Sequence, residues 1–235
     1  MKYKFLIVFI LFSCVKLDNS NPTIYNYNVI AYMVSGNDTQ LIFFDRTYKP
    51  TEEHHYGMEG ANIIVFNKDS TYQFLYPKSI DTINYYYSVF NPKPSDTLFL
   101  KVITPTSETL YSKTYIPSDF QIIQPIENET ILIPSNKLII WTKSNGAVLY
   151  KLNAYKTLRD TSKGFQIPYL ATDTFSDMFS YNYFFKDTGL YTISIMALND
   201  AVSKYLNKGE GNVENAQGVF GGVVMKKVHV FIRTQ

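Results

Sequence analysis

Thiols and imidazoles are scarce in this sequence. Cys14 is the only cysteine in 235 residues, which excludes a disulfide framework and any zinc site built on several thiolates. Three histidines exclude a His-rich metal cluster. Charge of either sign is also lacking. Twenty-two Lys and Arg face 20 Asp and Glu, a formal +2, so there is no basic field for nucleic acid and no acidic tail. No run of 18 apolar residues is present, and no membrane-spanning helix is expected. Aromatic residues, at 16%, are plentiful. With 46% hydrophobic and 18% charged residues they exclude a disordered chain, and the length suits one large domain or two ordinary ones.

The first residues read as an export signal. Lys2 and Lys4 precede the apolar run Phe5 to Phe12, which is too short to span a hydrocarbon core that needs about 20 residues and suits a signal-peptide core. The sole cysteine follows at once, in Leu11-Phe12-Ser13-Cys14. This arrangement resembles a bacterial lipobox. The resemblance implies that residues 1–13 are removed and that the Cys14 thiol is acylated. Several acyl chains anchor a protein stably where one binds marginally. Residues 14–24 then form a polar tether, and the expected location is the cell envelope, lipid-anchored to the outer membrane.

Strand signals dominate after residue 24: short runs of Val, Ile, Tyr, Phe and Thr bounded by Asn, Asp, Gly, Pro and Ser. Runs at 27–35, 39–45, 61–67, 71–76, 84–90, 96–104 and 108–116 predict one β-sandwich over 25–117. Strands at 120–124, 130–133, 137–143, 147–155, 190–198 and 223–233 predict a second over 118–235. Between its last two strands, Asp200 to Leu206 predicts a short helix with Asp200 as N-cap, and 207–222 a glycine-rich loop. The fold class expected is all-β, two consecutive sandwiches.

Ile140-Trp141-Thr142, then Gly146-Ala147 and Tyr150, then Asp187-Thr188-Gly189-Leu190-Tyr191 through Ala197 resemble a fibronectin type III domain. The resemblance implies a core role for Trp141 and a tyrosine corner at Tyr191. The mature chain is also similar to uncharacterised lipoproteins of Bacteroidota. That similarity rests on Leu11-Phe12-Ser13-Cys14, Glu52-Glu53 leading to Gly60-Ala61-Asn62-Ile63-Ile64-Val65-Phe66, the 96–116 hairpin, and Gly211-Asn212…Asn215-Ala216…Gly218-Val219-Phe220-Gly221-Gly222. It implies an immunoglobulin-like or transthyretin-like first domain and, more distantly, an outer-membrane protein partner in a transport assembly.

Few constellations carry chemistry. Glu52-Glu53-His54-His55 is the densest titratable cluster, but neighbours on an extended chain point apart, so it reads as a solvated loop and not a metal site. His229 sits mid-strand between Val228 and Val230, and no Gly-x-Ser-x-Gly elbow exists, so no catalytic triad is assigned. The glycines of 207–222 lack the Lys-Ser/Thr of a phosphate loop. Tyr85-Tyr86-Tyr87 alternates across a strand, with one face in the core. The expectation is a protein that binds without catalysing, with no cofactor, no metal and no nucleic acid partner. Its partner-contact loop holds Gly211, Asn212, Asn215 and Phe220. The alternatives are a surface carbohydrate-binding or adhesion module and, behind it, a hydrolase.

Overall fold

A computed structural model describes residues 25–48, 56–156, 169–180, 185 and 187–234. The expected signal segment, the expected tether with Cys14, and the Glu52-Glu53-His54-His55 cluster lie outside the described residues. The protein is an all-β sandwich fold.

The first sandwich opens with the hairpin β1 (Tyr27–Ser35) and β2 (Thr39–Arg46). It continues through β3 (Asn62–Phe66), β4 (Thr71–Ile80), β5 (Ile83–Val89), β6 (Thr97–Ile103) and β7 (Thr109–Tyr115). The strand order runs β1-β2-β5-β4-β3-β6-β7. Strand β4 belongs to both layers. Its first half pairs β3, its second half pairs β5, and its pairing with β5 shifts register between Leu75 and Lys78. Alternation explains the core. Val29, Ala31, Met33, Ile42, Phe44 and Tyr86 point in from one layer, and Ile63, Val65, Leu98, Leu100, Val102 and Leu110 from the other.

Asp45 is a buried carboxylate at the end of β2. It accepts from the backbone N–H of Arg46 at 2.8 Å, the Tyr48 hydroxyl at 2.8 Å and the N–H of Gly57 at 3.1 Å. These three donors give its charge the hydrogen bonds that burial otherwise removes.

The second sandwich holds β8 (Ile122–Gln124), β9 (Glu129–Ile133), β10 (Ile139–Trp141), β11 (Leu149–Lys156), β12 (Tyr169–Ala171), β13 (Phe175–Ser176), a single 3₁₀ turn (Met178–Ser180), β14 (Gly189–Leu198), the helix α1 (Asp200–Lys208) and β15 (Gln217–Thr234). Its layers are β12-β11-β14-β15 with β9 beside β15, and β13-β10-β8. Trp141 is buried between them, its ring edge-on to Tyr150 at 5.3 Å between centroids. The Tyr191 hydroxyl donates to the carbonyl of Asp187 at 3.0 Å, closing the expected tyrosine corner. Burial pushes the Tyr191 phenol above its ordinary pKa.

Two expectations need correction. The N-cap of α1 is Asn199, not Asp200: the Asn199 Oδ1 accepts from Val202 N at 3.1 Å, while Asp200 is the first helical residue. Asp200 instead pairs with Lys204 one turn on, at 2.7 Å. The second correction concerns 207–222. Only its first part is a loop; Gln217 to Gly222 are already strand, and β15 is 18 residues long. Glycine weakens strand preference, which hides such a strand from a propensity reading. Here the glycines serve close approach. A Cβ on Gly222 would stand 2.1 Å from the carbonyl oxygen of Tyr115, where β7 ends against β15.

Strand β15 therefore pairs with strands from both halves of the chain, and the buried side chains of the two halves form one continuous cluster. Gln217 to Val224 pair in parallel with β1, Val223 to Ile232 pair antiparallel with β14, and Val230 to Thr234 pair in parallel with β9. One continuous hydrogen-bonded path thus runs from β12 to β7.

Candidate functional site

The outer face of the first layer departs from what a sandwich facing water requires. An exposed sheet face is expected to alternate, apolar in and polar out. In β1 the outward positions after Asn28 are Ile30, Tyr32 and Val34; in β2 they are Thr39, Leu41 and Phe43. The register aligns Ile30 with Phe43, Leu41 with Tyr87, and Thr39 with Val89 on β5. Val89 is 72% exposed. Phe43 meets Tyr85 edge-on at 6.1 Å. Ile30, Tyr32, Val34, Leu41, Phe43 and Tyr85, with Ile80 and Ile83 of the β4–β5 hairpin, line an open groove of about 480 Å³ whose lining contains no charged residue; Tyr87 and Val89 lie beyond it.

One border of the groove is set by α1. Val202 is the buried residue of the helix, and it packs with Leu149, Leu198 and Val223. Tyr32 and Val34 pack against the same group. Gly221 makes this possible: a Cβ there would lie 2.2 Å from Val202 Cγ2. The helix is fixed from below as well. Its N-cap Asn199 donates from Nδ2 to Thr114 Oγ1 at 2.8 Å and to the Tyr115 carbonyl at 2.9 Å, so one side chain caps α1 and ties it to β7.

Electrostatically the groove is silent. Among its tyrosines, Tyr32 is held above its ordinary pKa by burial first and by neighbouring Tyr205 second. The lining holds no Asp, Glu, Lys, Arg or His. The chemistry on offer is dispersion and the release of water from apolar surface. Among the described residues no three of His, Cys, Asp and Glu gather in a way that could hold a metal ion.

The outer face of the other layer is built differently. Phe66 and Phe99 stack at 5.4 Å, Lys113 Nζ stands 5.6 Å from the Phe99 ring and Lys101 Nζ 5.9 Å from Tyr111. Phe99, Tyr111 and Tyr115 remain 36–43% exposed. Amide and hydroxyl side chains (Asn62, Gln73, Thr97, Thr109) fill the surrounding outward positions. Glu214 borders this face, its N–H donating to the Tyr111 carbonyl at 2.8 Å.

The loop expected to contact a partner is partly internal. Phe220 is fully buried on β15. Asn212 spends its amide within the fold: Oδ1 accepts from Phe220 N at 2.8 Å, and Nδ2 donates to the carbonyls of Phe220 at 3.0 Å and Lys113 at 3.3 Å. Its own carbonyl accepts from Ser112 Oγ at 2.7 Å. Gly211 and Asn215 are exposed, Asn215 at φ 62°. Gly211 also borders a second concavity of about 610 Å³, with Tyr25, Asn28, Tyr205 and Gln217. Of the Tyr85-Tyr86-Tyr87 run, Tyr86 is core and accepts from Ala61 N at 2.9 Å, while Tyr85 lines the groove. His229 points outward. Its Nδ1 lies 2.7 Å from Glu127 Oε1, and its backbone N–H donates to Glu127 Oε2 at 3.1 Å.

The groove was legible in one signal. In Tyr27 to Ser35 only Asn28 and Ser35 break an otherwise apolar and aromatic run, so polar residues do not alternate there. A strand apolar on both faces is a strand covered on both faces.

No protein-family profile matches the chain, and no curated protein matches it. Among solved structures it is similar to the fibronectin(III)-like modules of Clostridium thermocellum CbhA, at 12% identity over 88% of this chain and 94% of that one, with a TM-score of 0.24. Chicken CNTN1 domains FN1–FN3 match at 13% identity over 89% and 68%, TM-score 0.27. A SusE-like surface located polysaccharide binding protein from the Bacteroides thetaiotaomicron heparin utilisation locus matches at 11% identity over 88% of this chain and 33% of that one, TM-score 0.24. At these scores the likeness carries nothing about ligand or mechanism.

Proposed function

We propose that this protein is a non-catalytic binding module, tethered to the outer membrane by an acylated Cys14, that holds a protein partner of the cell envelope through the groove on its first sandwich. The observation that carries the reading is an apolar, charge-free groove of about 480 Å³ on a sheet face that a free-standing sandwich dresses with polar side chains. Cores of protein interfaces have this composition: aromatic and aliphatic, poor in charge. The anchor rests on Leu11-Phe12-Ser13-Cys14, and a transport assembly is the partner that the resemblance implies.

A photo-crosslinking amino acid at Leu41 in intact cells tests the groove. A discrete adduct with one envelope protein is expected, and it disappears with Phe43→Asp. No adduct, or the same adduct from a crosslinker on β7, would sink the reading. For the anchor, Cys14→Ser should move the protein out of the membrane fraction or leave its precursor uncut. An unacylated, soluble wild-type protein contradicts the tether.

A second reading follows from the other outer face, where exposed Phe99, Tyr111 and Tyr115 alternate with lysines and amides. Aromatic faces ringed by hydrogen-bonding groups suit sugar rings, so this face supports a surface carbohydrate-binding module. Titration with a panel of soluble polysaccharides against wild type and Tyr111→Ala decides it: loss of binding in the variant supports the reading, and no binding by the wild type ends it.

A further inference from the structure

Resting on the reading of the groove as a partner site, we propose that its occupant is an amphipathic α-helix of the partner, laid on β1, β2 and β5 beside α1. The covering layer of this sheet is half built by the chain itself. Helix α1 seats Val202 on Gly221 of β15, and the contact group it forms reaches Tyr32 and Val34 of the next strand. There the cover stops, while the apolar floor continues through Phe43 and Ile83.

Spacing points to a second helix. Strands lie about 4.8 Å apart, and β2 is two strands from β15. The groove's midline is therefore about 10 Å from the strand beneath α1, close to the 8–10 Å at which helices pack side by side. An occupant resting against α1 would lie over Leu41 and Phe43. The floor spanned by β2 also matches a helix in length: eight extended residues cover about 27 Å, as do about 18 helical ones.

Hydrogen bonding excludes the commonest alternative. An extended peptide binds a sheet by adding a strand to an edge. Here β1 lies between β15 and β2, and β2 between β1 and β5, so the floor of the groove offers no edge; the side of β4 not paired with β5, at Leu75–Ile80, lies at its rim. The occupant must satisfy its own backbone, as a helix does. A second copy stacking face to face is opposed by α1, which rises from one side of the groove and blocks a flush approach of two sheets.

The test uses the mature chain, residues 14–235, with Cys14→Ser so that no detergent competes for the groove. The probe is a fluorescein-labelled 18-residue Leu/Lys peptide with its leucines on one helical face. The control has the same composition with the leucines dispersed. Anisotropy should show saturable binding of the first, at least tenfold tighter than the second. Phe43→Asp and Ile83→Arg should each weaken it at least tenfold, with circular dichroism and Trp141 fluorescence confirming the fold. Equal binding of the two peptides, or unchanged binding by whichever variant folds, overturns the proposal. So does sedimentation of the wild type as a dimer that Ile83→Arg dissociates, which would place a second copy in the groove. If the Leu41 adduct forms in cells but the helical peptide does not bind, the helix is wrong and the partner site stands. If neither occurs, both fail.

Discussion

The two outer faces of the first sandwich come from the same alternation and end in opposite surfaces. Inward positions bury apolar side chains on both layers, with Gln40 of β2 and Ser112 and Thr114 of β7 buried among them. Outward, the β3-β6-β7 face carries lysines lying over rings, with amides and hydroxyls between them, and the long stems cover apolar surface while their heads stay in water. The β1-β2-β5 face carries Ile, Leu, Phe, Tyr and Val with no charge among the groove residues; its one lysine over a ring, Lys78 on Tyr87, stands beside the groove. Fold stability demands only the inner faces, so the contrast is the ground on which the proposed partner site rests.

The strongest way to break this contrast is to remove the cover already present. Gly221→Val should lift α1, because even a Cβ at that position falls inside Val202. A loss of about 3 kcal/mol is expected from such overpacking, seen as a lower urea midpoint, with increased uptake of a hydrophobic dye by the folded protein. Asn199→Ala acts on the same cover from its other end. It removes a helix cap and two hydrogen bonds to β7, and about 2 kcal/mol should go, measured in the same denaturation.

Sharpening the contrast calls for making one face resemble the other. Lys101→Leu with Lys113→Leu should change stability by no more than about 0.5 kcal/mol. It should nonetheless produce concentration-dependent association in sedimentation, because the face would lose the charges that keep it in water and β7 its guard as an edge strand. A monomer at all concentrations would mean that the lysines do not maintain this surface.

The smallest effect belongs to neither face and serves as the baseline. The His229 backbone N–H first, then its ring, hold the Glu127 carboxyl below the ordinary carboxylate range. A depressed carboxylate contributes stability above its unfolded pKa, about 4.3 for Glu, and the contribution is lost as pH falls through the folded value. Because the pair is about half exposed, the contribution is a few tenths of a kcal/mol at most. Glu127→Gln should lower stability by that amount above pH ~4.3 and flatten the stability–pH curve below it.

Much of the sandwich was legible in the sequence because half-buried strands alternate. The β1–β2 hairpin and the 96–116 hairpin appear where the residue pattern puts them, and buried Trp141 and the Tyr191 corner where the resemblance to a fibronectin type III domain implies them. What stayed hidden depends on partners far along the chain. The start of β15 is spelled with glycines, whose purpose is visible only once Val202 and Tyr115 stand against them. Asn199 outranks Asp200 as the cap because Thr114 and Tyr115 hold its amide from another strand. Phe220 and Asn212, read as contact residues in a loop, are drawn inward by β1 and β7. The groove shows in the sequence only as the non-alternating β1 run; the register is what brings Leu41 and Phe43 beside it.

The shared last strand has a consequence for the order in which the molecule can form. Asn28 pairs with Gln217, about 190 residues downstream. Contacts of such separation close late and slow folding. As the chain emerges, residues 27–115 can pair among themselves, yet the flank of β1 that β15 will occupy stays open until the last residues arrive. An unpaired strand flank on a half-finished sheet is a template for joining another chain. A chaperone that shields β1 during this interval would raise the yield of folded protein without touching its final stability.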